Sequence, residues 1–121
     1  MDDVIVWADV PVTDLARASA FYGHVTGRAV TPMPGRESEV AVVGDPGGRV
    51  VSLDLYVGGT PTHDGPTVYL GSVGDIDGML ARVVEAGGAV LQDKLLMGDM
   101  VGWVAFVEDT EGNRIGIQQP A

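Results

Sequence analysis

The stretch Val10-Pro-Val-Thr-Asp-Leu-Ala-Arg-Ala-Ser-Ala-Phe-Tyr22 predicts a β-strand that turns directly into an amphipathic helix. Apolar residues alternate along the chain up to Val12, as expected for a strand with one buried face. Asp14 is placed to cap the helix, because its carboxylate can accept hydrogen bonds from the amides of the first turn. Apolar side chains then recur at helical spacing as far as Gly27, which predicts the end of the helix.

A weaker copy of this junction, Val68-Tyr-Leu-Gly-Ser-Val-Gly-Asp-Ile-Asp-Gly-Met-Leu80, occurs in the second half of the chain. The two capping residues, Asp14 and Asp75, lie 61 positions apart. Two turns, each an aspartate followed three residues later by a glycine, begin at Asp45 and Asp109, which lie 64 positions apart. Two matches in the same order indicate an internal duplication.

Each half is predicted to contain a strand, a helix and three further strands, which makes an α+β fold of two tandem βαβββ modules. Helices are predicted after each capping aspartate. The predicted strands are 4–12, 28–33, 39–43 and 49–57 in the first half, and 67–73, 89–97, 101–108 and 114–119 in the second. The modules cover about 1–57 and 67–121 within one domain of residues 1–121, and the segment 58–66 has the composition of a linker.

Composition and charge narrow the function classes. The chain has 121 residues, of which 45% are hydrophobic, and this suits one globular domain. There is no cysteine, which excludes disulfides and thiolate chemistry. The net charge of −10 disfavours nucleic acid and anionic membranes as partners. No apolar run is long enough to span a bilayer, and no basic leader precedes an apolar run, so a cytoplasmic location is expected.

Two motifs carry a family resemblance. The opening stretch, together with Glu108-Asp-Thr-Glu-Gly-Asn-Arg-Ile-Gly-Ile117, resembles the vicinal oxygen chelate superfamily, which includes glyoxalase I, extradiol dioxygenases and bleomycin-resistance proteins. The resemblance covers essentially the whole chain. It implies that the strands form an open, curved, barrel-like sheet around a cavity, and that the protein is a homodimer. It does not specify a reaction, because one fold hosts many functions.

The resemblance also implies where a metal would be held. In metal-dependent members, one ligand lies seven residues before each capping aspartate, here Trp7 and Val68. Another lies seven residues after each turn aspartate, here Ser52 and Gly116. The side chains of Trp7 and Val68 contain no atom that binds a metal, and Gly116 has no side chain. The hydroxyl of Ser52 is a poor ligand for zinc or iron. No metal and no cofactor are therefore expected at the usual positions.

Strand alternation predicts which side chains face the cavity. Asp9 and Asp54 are the candidate catalytic pair, because a buried carboxylate is costly unless it is paired or useful. Either could also point to solvent or be satisfied by an Arg or Tyr. The predicted ligand-binding set is Trp7, Asp9, Ser52, Asp54, Tyr56, Val68, Leu70, Trp103 and Gln118.

These observations lead to three hypotheses about the function of the protein. The favoured hypothesis is a binding protein that holds a small organic molecule, cationic or aromatic, without a metal. The alternative is a metal-independent acid–base enzyme, an isomerase, lyase or cyclase, with Asp9 or Asp54 as the base. A weaker alternative is a glyoxalase- or dioxygenase-like enzyme whose metal is held at displaced positions by Asp9, Asp54 and His63.

Overall fold

The strands and helices follow the order that the sequence predicts. The computed structural model describes residues 4–45, 47–55 and 59–121. The first module contains β1 (Trp7–Pro11), α1 (Leu15–Thr26), β2 (Val30–Pro32), β3 (Val40–Val43) and β4 (Val50–Asp54). The second contains β5 (Val68–Gly71), α2 (Ile76–Glu85), β6 (Ala89–Leu96), β7 (Trp103–Glu108) and β8 (Arg114–Gln119). The βαβββ duplication is therefore confirmed.

Each module folds into a four-stranded mixed sheet. The strand orders are β1-β4-β3-β2 and β5-β8-β7-β6, and the outer strands β1 and β5 pair in parallel with β4 and β8. The remaining pairs are antiparallel. Neither sheet closes on itself, which matches the predicted open, curved architecture. Neither helix is long and apolar enough to cross a membrane, within the part of the chain that the structure describes.

Both predicted helix caps are present. The Asp14 carboxylate accepts the Arg17 N–H at 3.0 Å, and the Asp75 carboxylate accepts the Gly78 N–H at 2.8 Å. Gly27 ends α1 with a φ of 66°, a left-handed conformation that glycine adopts without the steric cost of a Cβ. The two aspartates therefore fix where each helix starts above its sheet.

The two modules share one hydrophobic core. Phe21 and Tyr22 from α1 and Met79 and Val83 from α2 are almost fully buried in the same cluster, together with the inward residues of both sheets. Arg82 on α2 joins the modules further, because its guanidinium donates to the backbone carbonyl oxygens of Val25 and Val73 at 3.1 and 2.9 Å. The helices thus lie between the sheets, and the opposite face of the first sheet is left to form a cavity.

A buried carboxylate ties the start of α1 to the second module. Glu111 accepts the backbone N–H groups of Thr13 and Asp14, both at 2.9 Å, and the Nε of Arg17 at 2.8 Å. Its side chain has no solvent exposure. Burial alone raises the pKa of the Glu111 carboxyl, but the hydrogen bonds from Arg17, Thr13 and Asp14 outweigh burial and lower the pKa to about 2.

Next to it, the buried Asp109 carboxylate is fully hydrogen-bonded. Its Oδ2 accepts the Tyr22 hydroxyl at 2.6 Å and the Asn113 side-chain amide at 3.0 Å, and its Oδ1 accepts the N–H groups of Glu111 and Asn113 at 2.9 Å. Burial raises the pKa of the Tyr22 hydroxyl well above its usual value, and the charge of Asp109 adds to this. We refer to Glu111, Asp109 and their partners as the inter-module clamp.

Candidate functional site

A cavity of about 570 Å³ lies on the face of the first sheet that points away from the helices. All of its lining residues belong to the first module. Its wall is mainly apolar, with a few polar and charged groups among the apolar side chains. The lining residues are Trp7, Asp9, Thr31, Pro32, Met33, Pro34, Arg36, Val40, Val42, Val50, Ser52 and Asp54.

Four of the predicted site residues meet in this cavity because of strand alternation. Trp7 and Asp9 lie on one face of β1, while Val10 on the other face is buried in the core. Ser52 and Asp54 lie on the matching face of β4, and Asp9 is the direct register partner of Ser52. Trp7 is 60% exposed and Asp54 only 8% exposed, so the cavity has an open aromatic side and a buried acidic side.

The two aspartates influence each other across the parallel strands. Burial raises the pKa of Asp9 above its ordinary value, and the negative charge of Asp54 raises it further. Arg36 reaches the same cavity, and its guanidinium is held by Glu39 at 2.9 Å. The polar groups of the cavity therefore comprise two carboxylates, two hydroxyls and one guanidinium that is already paired.

Sequence reasoning missed the cavity residues that follow β2. Met33, Pro34 and Arg36 lie in the connection to β3, which has no hydrophobic periodicity to reveal its direction. Backbone hydrogen bonds fold this connection over the sheet: the Met33 N–H donates to Val40 O at 3.0 Å, and the Val40 N–H donates to Arg36 O at 2.9 Å. Pro32 and Pro34 mark this stretch as irregular, because proline lacks a backbone N–H for strand pairing, but they do not show which way the connection folds.

The predicted inward residues of β5 are not part of the 570 Å³ cavity. Val68 and Leu70 pack against the shared core instead of lining the 570 Å³ cavity. The reason is the register: Ala8 pairs with Val51, and Val68 pairs with Ile115, so Val68 corresponds to Ala8 and not to Trp7. The second module has one extra residue between its first strand and its helix, and a shift of one residue reverses every side chain of a strand.

The corrected register also moves one of the four metal-ligand positions. Thr67, one residue before Val68, corresponds to Trp7, while Gly116 still corresponds to Ser52. The four positions then offer only two hydroxyls, and this set does not fit a divalent transition metal, which prefers imidazole, carboxylate or thiolate ligands.

The register also shows which residues of the second sheet take the places of the cavity residues of the first. At the places of Asp9, Ser52 and Val42, the second module has Tyr69, Gly116 and Phe106. The Tyr69 ring lies so close to Gly116 that an added Cβ would be 2.5 Å from its Cδ1, and the Tyr69 and Phe106 ring centroids are 5.9 Å apart. Aromatic rings therefore cover the face that is open in the first module.

The remaining predicted residues lie elsewhere. Trp103 packs against the core, with the Lys94 ammonium 5.3 Å from its ring centroid. Gln118 uses its side-chain amide to donate to Val101 O at 2.6 Å. Neither lines the first-module cavity. Tyr56 falls outside the described residues.

The displaced metal site is not assembled. His63 does not line the cavity that holds Asp9 and Asp54, and it pairs with Glu108 of the second module, with 2.6 Å between Nε2 and Oε2. Among residues 4–45, 47–55 and 59–121, no three His, Asp or Glu side chains come together in a way that could hold a metal ion. His24, on the exposed face of α1, pairs with Glu85 at 3.2 Å.

The duplicated modules and the open sheets define a known class. The chain belongs to the Glyoxalase/Bleomycin resistance protein/Dioxygenase superfamily, whose family model matches residues 4–117. A glyoxalase/bleomycin resistance protein from Albidiferax ferrireducens T118 has the same fold, with a TM-score of 0.78 at 16% identity over 98% of this chain and 100% of that one.

Two further relatives are more similar in sequence. The antibiotic-binding protein TnmS3 from Streptomyces sp. CB03234 is 26% identical, with a TM-score of 0.69, over 100% of this chain and 99% of its own. CFP32 of Mycobacterium tuberculosis, whose name proposes a glyoxylase, is 28% identical over 93% of this chain. The chain spans only 44% of the length of that mycobacterial protein.

Proposed function

We propose that this protein binds a small organic molecule with an aromatic body and a cationic group in the first-module cavity. The observation that carries the proposal is the cavity itself, which combines about 570 Å³ of space, an apolar wall and two carboxylates on one side. Ligand pockets for drug-sized molecules are commonly of this size, with a few polar groups that orient the ligand.

The wall supplies two kinds of interaction. Trp7 presents a half-exposed indole on which a planar ligand can stack, and Val40, Val42 and Val50 offer apolar area to bury. Asp54, which is nearly buried, and Asp9 beside it can accept hydrogen bonds from an ammonium group. Such charge-assisted bonds contribute about 1.5–3 kcal/mol each. The pKa of Asp9 is raised first by burial and then by the negative charge of Asp54, and a bound cation would offset that second effect.

The comparisons support binding of this general kind. TnmS3, which covers the chain from end to end, is described as an antibiotic-binding protein.

We also propose that the protein is a homodimer. Large apolar side chains, including Leu91, Leu95, Leu96 and Met97, are exposed along and just after β6, as on surfaces that associate. Sedimentation equilibrium tests this proposal, because it gives the mass of the protein in solution and so separates a dimer from a monomer.

A thermal-shift panel of cationic, neutral and anionic aromatic compounds tests the ligand class. We expect cationic aromatics to raise the melting temperature, and Asp54→Asn to weaken the best of them about tenfold or more, because one charge-assisted bond is lost. Asp99→Asn is the matched control, since it removes the same charge from an exposed turn outside the cavity. Equal weakening by both variants, or no shift with any cation, would contradict the proposal.

The raised pKa of Asp9 favours a second candidate function, an enzyme that uses this carboxylate as a general base. A base is most effective when its pKa lies near the working pH, and burial and Asp54 both raise the pKa of Asp9. The chemistry would be an isomerisation, a lyase step or a ring closure on the bound compound.

For that candidate, Asp9→Asn should reduce turnover of a bound compound by about 100-fold or more while the protein stays folded. Because folding raises the pKa of Asp9, its ionised form destabilises the folded protein, and this cost appears as the pH rises. The asparagine variant carries no such charge, so at pH 7 it should be at least as stable as the parent protein. Mass spectrometry of compounds incubated with the protein measures turnover. If every compound that binds is recovered unchanged, the enzyme candidate fails and the binding proposal stands.

A further inference from the structure

The floor of the first-module cavity contains a row of side chains that crosses the whole first sheet. Each member of the row is the direct register partner of the next, so all of them project from the same face of the sheet. The row runs from β1 to β2 through Asp9, Ser52, Val42 and Thr31, and each of these residues lines the cavity. Neighbouring strands are about 4.8 Å apart, so the row is roughly 14 Å long.

The carboxylate of Asp9 stands at the β1 end of this row, beside an aromatic side chain. Trp7 lies two residues before Asp9 on the same face of β1, about 7 Å along the strand. The row leaves Asp9 in the other direction, across the strands instead of along them. Asp9 therefore stands at a corner of the floor, with the indole along β1 and the apolar part of the floor across the sheet.

The far end of the row is closed by the connection that follows β2. Met33 is half-buried there, although Pro32 and Pro34 on either side of it are exposed. Its backbone N–H donates to the Val40 carbonyl oxygen at 3.0 Å, which holds Met33 beside β3. Met33, Val40 and Val42 all line the cavity and make this end apolar. A methionine side chain has three rotatable bonds, so it can adapt to the shape of an apolar group.

We propose that the ligand of the first-module cavity is an amine whose nitrogen carries apolar groups on two sides. This inference rests on the cationic, aromatic ligand proposed above, and it places the nitrogen at Asp9. One apolar group packs on the Trp7 indole, and the second extends across Val42 toward Met33. An amine with a single ring leaves one of these two surfaces in water, whereas a secondary or tertiary amine covers both. Met33 then determines how large the second group can be.

Calorimetric titration with benzylamine and dibenzylamine at pH 7 tests the proposal. Both amines are cations at this pH, and they differ by the second benzyl group. We expect dibenzylamine to bind at least about tenfold tighter, because its second ring buries further apolar area. Met33→Ala should reduce this ratio of affinities to about threefold or less, because the second ring loses its contacts with the end wall. Met100→Ala is the matched control, since Met100 is 98% exposed and lies outside the cavity.

NMR signals of isotope-labelled methionine methyl groups locate the second ring directly. Dibenzylamine should shift the Met33 signal and leave the Met97 and Met100 signals in place, because a ring alters the magnetic field only at nearby methyl groups. Met33→Ala identifies the Met33 signal by removing it. A Met33 signal that stays in place while dibenzylamine binds would overturn the proposal, as would equal affinity ratios in Met33→Ala and Met100→Ala. Binding of neither amine would contradict the cationic ligand class itself, and this proposal with it.

Discussion

Replacing Glu111 with glutamine should lower the free energy of unfolding by about 2–3 kcal/mol at pH 7. The carboxylate accepts two backbone N–H groups and the Arg17 guanidinium while it is shielded from solvent. Glutamine keeps only one oxygen and brings an NH₂ group toward these donors, so buried donors lose their acceptor at about 1–3 kcal/mol each.

The same variant should change how stability depends on pH. The pKa of Glu111 is about 2 in the folded protein, against an ordinary value of 4.5. A depressed pKa means that its contribution is fully present above about pH 4.5 and is lost as the pH falls through the folded value. The shift corresponds to at most about 3 kcal/mol.

Urea unfolding from pH 7 down to pH 3 measures both effects. The parent protein should lose stability steeply on acidification, and the Glu111→Gln variant should show a shallower acid decline. Glu85→Gln is the control, because Glu85 is exposed and its ion pair with His24 lies at the surface; it should change stability by less than about 0.5 kcal/mol. Parallel acid declines for the parent and Glu111→Gln would show that the clamp does not depend on this charge.

Replacing Gly88 with alanine should cost about 2–3 kcal/mol for a purely steric reason. A Cβ at this position would lie 2.5 Å from the Glu108 carbonyl oxygen, 2.7 Å from Phe21 Cε1 and 2.9 Å from Val83 Cγ1. The Glu108 backbone cannot move away, because it belongs to β7 at its pairing with Ala89. Overpacking of a well-packed core costs about 1–3 kcal/mol.

Gly71→Ala is the matched control for Gly88→Ala. Gly71 also belongs to the second module, but a Cβ there would meet no atom within 4 Å. Chemical unfolding should therefore show no loss of stability for Gly71→Ala, because an alanine Cβ fits there without strain. If Gly88→Ala were as stable as Gly71→Ala, the result would contradict the close packing of Phe21, Val83 and the Glu108 backbone around Gly88.

Much of the fold was predictable because its signals are local. Asp14 and Asp75 mark both helix starts by a hydrogen bond to a residue three positions on, and Gly27 marks a helix end. The alternation along β1 also predicted that Trp7 and Asp9 share a face. Each of these inferences depends on residues that are neighbours along the chain.

The errors in the site arose where pairing between distant strands decides the outcome. Counting back from Asp75 gave Val68 the place of Trp7, but the pairing of Val68 with Ile115 gives it the place of Ala8. The side chains of Met33 and Arg36 reach the cavity through a connection held by backbone hydrogen bonds, which leaves no pattern in the sequence. Tertiary register and loop conformation are not local properties.

The inter-module clamp has a consequence for how the chain folds. It joins Thr13 to Glu111 across 98 positions, and Tyr22 to Asp109 across 87. Each contact encloses most of the polypeptide, so the entropy of closing a long loop must be overcome before either bond forms. Such a high contact order slows folding, and the repeated halves should acquire their native structure together rather than one after the other.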